Sequence, residues 1–217
     1  MSAEAKQGLE RAAEAWIRPY TDAHHLRRTR DWAMRLQPSA PLAIRLAALT
    51  HDMERHLEGG PTMDPATMEP DDARYLRAHA ERSTAIVTGW LREHGASDDL
   101  VAVVADLVRH HEIGGSPAAD VVQAADSLSF LETKRGLMQR WLAEGRCDLA
   151  RAGRQPIWMA ERIRIPAARR FAEPLLAETL RLLRRTATTI QRESAGASAR
   201  RRSLSSDSSS HSSIWNQ

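Results

Sequence analysis

The stretch Leu42-Ala43-Ile44-Arg45-Leu46-Ala47-Ala48-Leu49-Thr50-His51-Asp52 decides how the rest of this chain is read. As far as Thr50 it is apolar apart from Arg45 and shows no alternation of period two, so it predicts a helix from about Leu42 to Met53. The run then closes on an imidazole and a carboxylate side by side. Adjacent residues on a helix are turned by about 100°, so His51 and Asp52 reach a common point only where the helix ends against a cleft. The punctuation Gly59-Gly60-Pro61 downstream leaves room for such an end.

Side chains of the same chemistry lie on both sides of the pair. His25 sits on the preceding helix, and the short connection makes the two helices antiparallel and brings His25 near His51. His79, His110, His111 and Asp126 follow, with Asp126 on a distant helix. Imidazole and carboxylate together suit Fe, Mn, Co, Ni or Zn, and the single cysteine, Cys147, speaks against a thiolate site. The candidate is a centre with nitrogen and oxygen ligands. Periodicity does not separate His110 from His111, because Val103, Leu107 and His110 share one face while Val101, Val104, Val108 and His111 share another; both are kept. His24, His56, His94 and His211 read as solvent-facing.

Apolar residues recur at three and four nearly throughout, and β-branched residues are sparse, so the predicted class is all-α. Ala12, Ala13, Trp16 and Ile17 mark a first helix, and Leu26, Trp32, Ala33 and Leu36 a second that Pro38 and Pro41 stop. Asp71 or Asp72 starts a long helix ending near Gly95, and Ser97 caps the next, with Asp98 and Asp99 in its first turn. Pro117 opens a helix carrying Val121, Val122, Ala125, Leu128 and Leu131. Leu137, Trp141 and Leu142 predict a short helix, and Pro156 to Ile190 predicts two stretches interrupted at Pro166 and Pro174. From Ser194 the chain is dominated by Ser, Ala, Gly and Arg, which predicts one helical domain over 1–193 and a disordered Ser/Arg-rich tail over 194–217.

A chain of 217 residues suffices for one domain with a sizeable core. The formal charge of +3 is small, with much of the arginine in the last third; it suits a small phosphate-bearing partner and gives no call for nucleic acid. One cysteine excludes an internal disulfide, the opening Met1-Ser2-Ala3-Glu4-Ala5-Lys6 has no apolar signal-peptide core, and no run approaches the roughly 18 apolar residues of a membrane span. The expectation is a cytoplasmic protein without membrane contact.

The ordered series resembles the HD superfamily of metal-dependent phosphohydrolases, whose pattern is a His, then His-Asp closing an apolar helix, then a distal Asp. The resemblance is carried by His25-Leu26-Arg27-Arg28-Thr29-Arg30-Asp31-Trp32-Ala33, by Ala47-Ala48-Leu49-Thr50-His51-Asp52 and by Ala124-Ala125-Asp126-Ser127-Leu128, over about residues 20–135. The histidines in His79-Ala80-Glu81-Arg82-Ser83 and Val108-Arg109-His110-His111-Glu112 look like those of the subgroup that holds two metals. The resemblance implies an HD-domain-like helical bundle with a C-terminal helical extension over 136–193. It implies one ion on His25, His51, Asp52 and Asp126, and a second on His79 and His110 or His111, with Asp52 bridging them. One or two divalent transition-metal ions are expected, Fe, Mn, Co or Ni before Mg or Zn, hydrolysing a nucleotide or other small phosphate ester through a metal-activated hydroxide.

Asp52 and Arg55 are then the catalytic candidates, and Arg28 and Arg55 the substrate-binding ones. Arg28 has the family's His-x-x-Arg spacing from His25, and Arg55 stands where related proteins carry Lys in His-Asp-x-Gly-Lys. Arg55 reads equally as an exposed side chain pairing with Glu54 or Glu58, and Lys134, Arg135 and Arg162 are further candidates for a substrate rim. The chain has Ile113-Gly114-Gly115-Ser116-Pro117 where the cyclic-dinucleotide branch carries Gly-Tyr-Pro, which speaks against that substrate. Two other functions fit the same residues: a di-iron oxygenase on this scaffold, and a metal-containing sensing or partner-binding domain without turnover.

Overall fold

Helix α1 (Ala3–Ile17) starts where the Ser2 hydroxyl accepts from the backbone N–H of Ala5, and it buries Leu9, Ala13 and Ile17. It is followed by α2 (Ala23–Leu36), α3 (Leu42–Thr50), α4 (Ala73–Glu93), α5 (Asp98–Arg109), α6 (Pro117–Thr133), α7 (Arg135–Ala143), α8 (Leu149–Glu161) and α9 (Pro166–Asp207). The computed structural model describes residues 2–207, with side-chain surroundings for 2–197; among them the chain has nine α-helices and no strand. The all-α reading therefore holds.

The decisive stretch forms the centre of the bundle. In α3 every residue except Arg45 is buried, and α1, α2, α5 and α6 all pack against it. Arg45 escapes the core by turning its guanidinium to Glu10 of α1 and to the Ala40 carbonyl. Ala43, Ala47 and Ala48 put only methyl groups between α3 and its neighbours. Around α3 the core is continuous through Leu26, Leu46, Leu49, Met53, Leu107 and Leu128. A smaller cluster of Met138, Trp141, Leu142, Ala152 and Leu183 joins α7, α8 and α9, and α8 and α9 also lie against α6.

Local signals place several helix starts, although Ser97, which precedes α5 as expected, makes no capping bond with its side chain. Asp72 accepts from the Tyr75 backbone N–H at 2.7 Å to open α4, and Ser116 accepts from Ala119 at 3.2 Å ahead of Pro117. Three expectations need correction. First, α3 stops at Thr50 with His51 as its cap, and Asp52 (φ −100°, ψ 12°) leads into a 3-10 turn over Met53–His56. Second, α8 begins at Leu149, capped by Asp148 on the Arg151 N–H, and runs through Pro156, while α9 starts at Pro166 and passes Pro174 unbroken. A proline inside a helix costs about 3 kcal/mol; packing of both helices against α6 and α7 outweighs it. Third, α9 continues past Glu193 to Asp207. Ala195, Ala197 and Arg200-Arg201-Arg202 are good helix formers, and extending an existing helix avoids the nucleation step. The remainder of the expected tail, 208–217 with His211, lies outside the described residues. Among the described residues no helix is long and apolar enough to cross a membrane.

Toward residue 197 the described part of α9 leaves the core, with Ile190 its last hydrophobic residue packed against the smaller cluster. Leu183 is its last buried core residue and Gln191, Arg192 and Glu193 are all exposed. Truncation after Glu193 is expected to shift the melting temperature by no more than about 2 °C, because surface changes of this kind stay within about 0.5 kcal/mol. A larger loss in a thermal melt would show that the segment docks on the domain.

Candidate metal centre

Among the described residues four histidines are buried: His25 from α2, His51 at the end of α3, His79 from α4 and His111 just after α5. Each has its Nδ1 committed to an acceptor. That of His51 lies 3.1 Å from the Ala48 carbonyl, that of His111 2.7 Å from the Val108 carbonyl, and that of His79 2.6 Å from Glu54 Oε1. His25 Nδ1 lies 2.9 Å from Ser129 Oγ, which donates its own proton to the His25 carbonyl and so accepts from the ring. Nδ1 is therefore the protonated nitrogen in each neutral ring, and every Nε2 turns its lone pair inward.

The Nε2 atoms converge on one another and on carboxylate oxygens. His25 Nε2 and His51 Nε2 both stand 3.2 Å from Asp126 Oδ1, and His79 Nε2 stands 3.0 Å from Asp52 Oδ1. His79 and His111 bring their Nε2 atoms to 3.2 Å, and His51 Nε2 is buried without a hydrogen-bond partner among the described residues. Lone pairs facing lone pairs and anionic oxygens repel unless a proton or a cation lies between them, and a buried acceptor left unpaired costs about 1–3 kcal/mol. The donor set thus fits a divalent ion. Two buried groups have ligand atoms within 4.8 Å of one another, His25–His51–Asp52 and Asp52–His79–His111, and Asp52 belongs to both.

Helix ends make this convergence possible. Because α3 stops at Thr50 and the backbone tightens into the 3-10 turn, His51 and Asp52 face the same space although they are sequence neighbours. Gly114 does similar work after α5: its φ of 66° is in the left-handed region, a Cβ there would meet Asp120 Oδ1 at 2.2 Å, and the turn it permits sets His111 and Glu112 inward. Met53–His56 places Glu54 beneath His79, its carboxylate 1% exposed. Nothing in the local sequence marks Glu54 as buried, so its role as the anchor of His79 is read from the structure alone.

The charges are strongly coupled. Burial works against ionisation of Asp52 and Asp126, but Arg55 and His51 beside Asp52, and His51 and Arg162 beside Asp126, hold both carboxyls well below the usual range. Burial would lower His51, yet the Asp52 and Asp126 carboxylates outweigh it and raise the imidazole to about 9. His79 is raised because its bonds to Asp52 and Glu54 overcome burial and the nearby Arg55 charge. His25 is lowered, burial outweighing its bond to Asp126.

Several expected residues stand elsewhere. His110 does not join the centre: the chain turns after Arg109, and its ring folds back onto Asp106 while His111 faces inward. Arg28 is turned away as well, held by Glu132 and Asp31 at the α2–α6 contact. Arg135 bonds the Leu131 carbonyl, and Lys134 lines the cavity beside the centre but is paired with Asp22. His56 is half-buried and stacked on Tyr20 at 4.3 Å, and His94 is exposed yet stacked on Trp90. Arg55 is in place: its Nε is 3.1 Å from Asp52 Oδ1, it bonds the Tyr75 hydroxyl, and it faces the cavity rather than Glu54 or Glu58. Glu112, Tyr75 and Ser129 are site residues that sequence reading passed over; only Ser129 carried a signal, one turn after Asp126 on the same face of α6.

The centre forms the floor of a cavity of about 580 Å³, whose walls include Tyr75, Phe130, Trp141 and Trp158. No family model matches this chain, and neither a curated protein nor a solved structure matches it.

His111→Ala should abolish tight binding of one divalent ion, whereas His110→Ala should bind as the unaltered protein does, measured by calorimetric titration; equal losses would overturn the assignment. At neutral pH the raised His51 carries a proton that an incoming cation must displace. Metal binding should therefore release protons, and affinity should climb with pH until about 9. Titrations in buffers of different ionisation enthalpy would contradict this by showing no proton release.

Proposed function

We propose that this protein is a metal-dependent phosphohydrolase of the HD type that acts on a nucleotide or another small phosphate ester. The observation that carries the proposal is the pair of buried metal-capable groups sharing Asp52, with all their imidazoles presenting Nε2. It agrees with the order His25, His51-Asp52, His79, His111, Asp126 that the sequence displays. His25, His51, Asp52 and Asp126 would hold one ion, and Asp52, His79 and His111 a second. Bound there, divalent ions supply Lewis acidity and activation of water.

The protein's own groups account for substrate handling. Arg55 faces the cavity beside Asp52, and its planar fork suits a phosphoryl oxygen pair. The Tyr75 hydroxyl bonded to Arg55 keeps that guanidinium turned inward. Lys134 and Arg146 add positive charge along the cavity, and Trp141, Trp158 and Phe130 offer apolar surface to the organic part of an ester. Asp52 and Asp126 stay ionised, which keeps them ligands rather than proton donors.

The test is metal analysis of the purified protein joined to a phosphate-release screen over nucleotides and simple esters. His51→Ala and Asp52→Ala should lose turnover and metal while keeping a helical spectrum. His79→Ala should lower the metal-to-protein ratio from near two toward one and cut turnover by orders of magnitude. Phosphate release unaffected by these changes would defeat the proposal. Partly oxidised iron with an EPR signal and no phosphate release would point to the oxygenase chemistry, and metal without turnover to a sensing domain.

A further inference from the structure

Arg162 lies at the C-terminal end of α8, in the segment beyond residue 135, yet its side chain is only 6% exposed and reaches the centre. Each of its nitrogens has a fixed partner. Nε donates to Ser127 Oγ at 2.9 Å, Nη1 donates to the Glu112 carbonyl at 3.2 Å and to Glu112 Oε2, and Nη2 donates to Asp126 Oδ2. The guanidinium carbon is 4.5 Å from the centre of the Trp158 ring, and the Arg162 carbonyl accepts from Gln123 Nε2 at 2.6 Å. Backbone, ring and fork are all held, so the guanidinium has little freedom.

The carboxylate oxygens are divided by this contact. Asp126 gives Oδ2 to Arg162 and leaves Oδ1 between His25 and His51, at 3.2 Å from each Nε2. Glu112 gives Oε2 to Arg162 and leaves Oε1 facing His111 Nε2 at 3.5 Å and His79 Nε2 at 3.8 Å. Asp126 borders the first group, beside His25 and His51, and Glu112 borders the second, beside His79 and His111, so one side chain touches both halves. We infer that Arg162 is a positioning residue whose single guanidinium fixes Asp126 and Glu112 so that each turns one oxygen to the metal centre. Helix α8 thereby completes the centre that the first six helices build. The inference rests on the metal-centre reading given above.

Electrostatics and positioning predict opposite signs, which makes the inference testable. Removing a positive charge beside a dication site strengthens cation binding if charge is all that matters. Removing the orienting partner of a ligand weakens binding, by about 10–100-fold for outer partners of metal ligands. The experiment is a Co2+ titration of the full-length protein, followed by calorimetry and by the visible spectrum of the ion. Arg162→Gln should bind Co2+ about 10–100-fold more weakly, with an altered band intensity as Asp126 or Glu112 turns both oxygens to the ion. Arg162→Lys keeps the charge but has no fork to span two carboxylates, so it should not restore affinity. Arg162→Gln binding as tightly as the unaltered protein, or more tightly, with the same spectrum, would overturn the inference. Should Arg162→Gln fail to fold, Ser127→Ala removes only the Nε acceptor; it should loosen Co2+ several-fold, and unchanged binding would count against the inference. If the unaltered protein binds no Co2+, the metal-centre reading itself falls; if it binds and the Arg162 variants match it, only this inference falls.

Discussion

The tethering of each buried imidazole through Nδ1 is the constraint on which the rest of the site depends. An imidazole whose Nδ1 is free can rotate, flip or change tautomer; one whose Nδ1 donates to a fixed acceptor can only present Nε2. Here the acceptors are rigid by construction. Ala48 and Val108 are buried residues in the last turns of α3 and α5, and their carbonyls can take a side-chain donor because a helix leaves its final carbonyls without the usual partner four residues on. Ser129 belongs to α6, and Glu54 to the turn that follows Asp52. The fold therefore produces ligand orientation from ordinary features of helix termini.

The same logic links the core to the chemistry. α3 is buried nearly all round, so its end is fixed in space by α1, α2, α5 and α6, and His51 and Asp52 inherit that fixity. Were α3 to run on to Met53, the two side chains would diverge, and no single cavity would receive both. The centre also concentrates charge in a dry place. Asp52, Glu54, Glu112 and Asp126 are buried together, and Arg55, Arg82, Arg162 and the histidines stand against them within the described surroundings. Burying carboxylates this way is costly unless they are paired, and a dication completes that pairing more fully than protons do.

The sequence made the centre legible through the types and order of its ligands, and the fold class through the uniform three-to-four spacing. Asp72 and Pro117 signalled their helices because capping side chains and first-turn prolines act within one turn, within reach of local reading. What escaped was set by distance along the chain. His110 and His111 are equivalent in pattern, and it is the turn that follows α5 at Arg109 that separates them and sets His111 inward. Arg28 fits a motif spacing, yet Glu132 on α6 claims it. Arg162 looked like rim charge because no local rule predicts that α8 will carry it over Asp126, and Glu54 looked like surface because a 3-10 turn obeys no helical face. The prolines misled for a different reason: a break rule holds for isolated helices, whereas α8 and α9 are supported by tertiary packing.

The central claim is that four imidazoles present Nε2 to a cation. Nitrogen-detected NMR of the histidine rings during titration with diamagnetic Zn2+ tests it directly. His25, His51, His79 and His111 should retain the Nδ1 proton and shift at Nε2 on binding, while His24 and His110 stay unchanged. Zn2+-loaded protein in which His51 carries its proton on Nε2, or in which no buried ring responds, would contradict it.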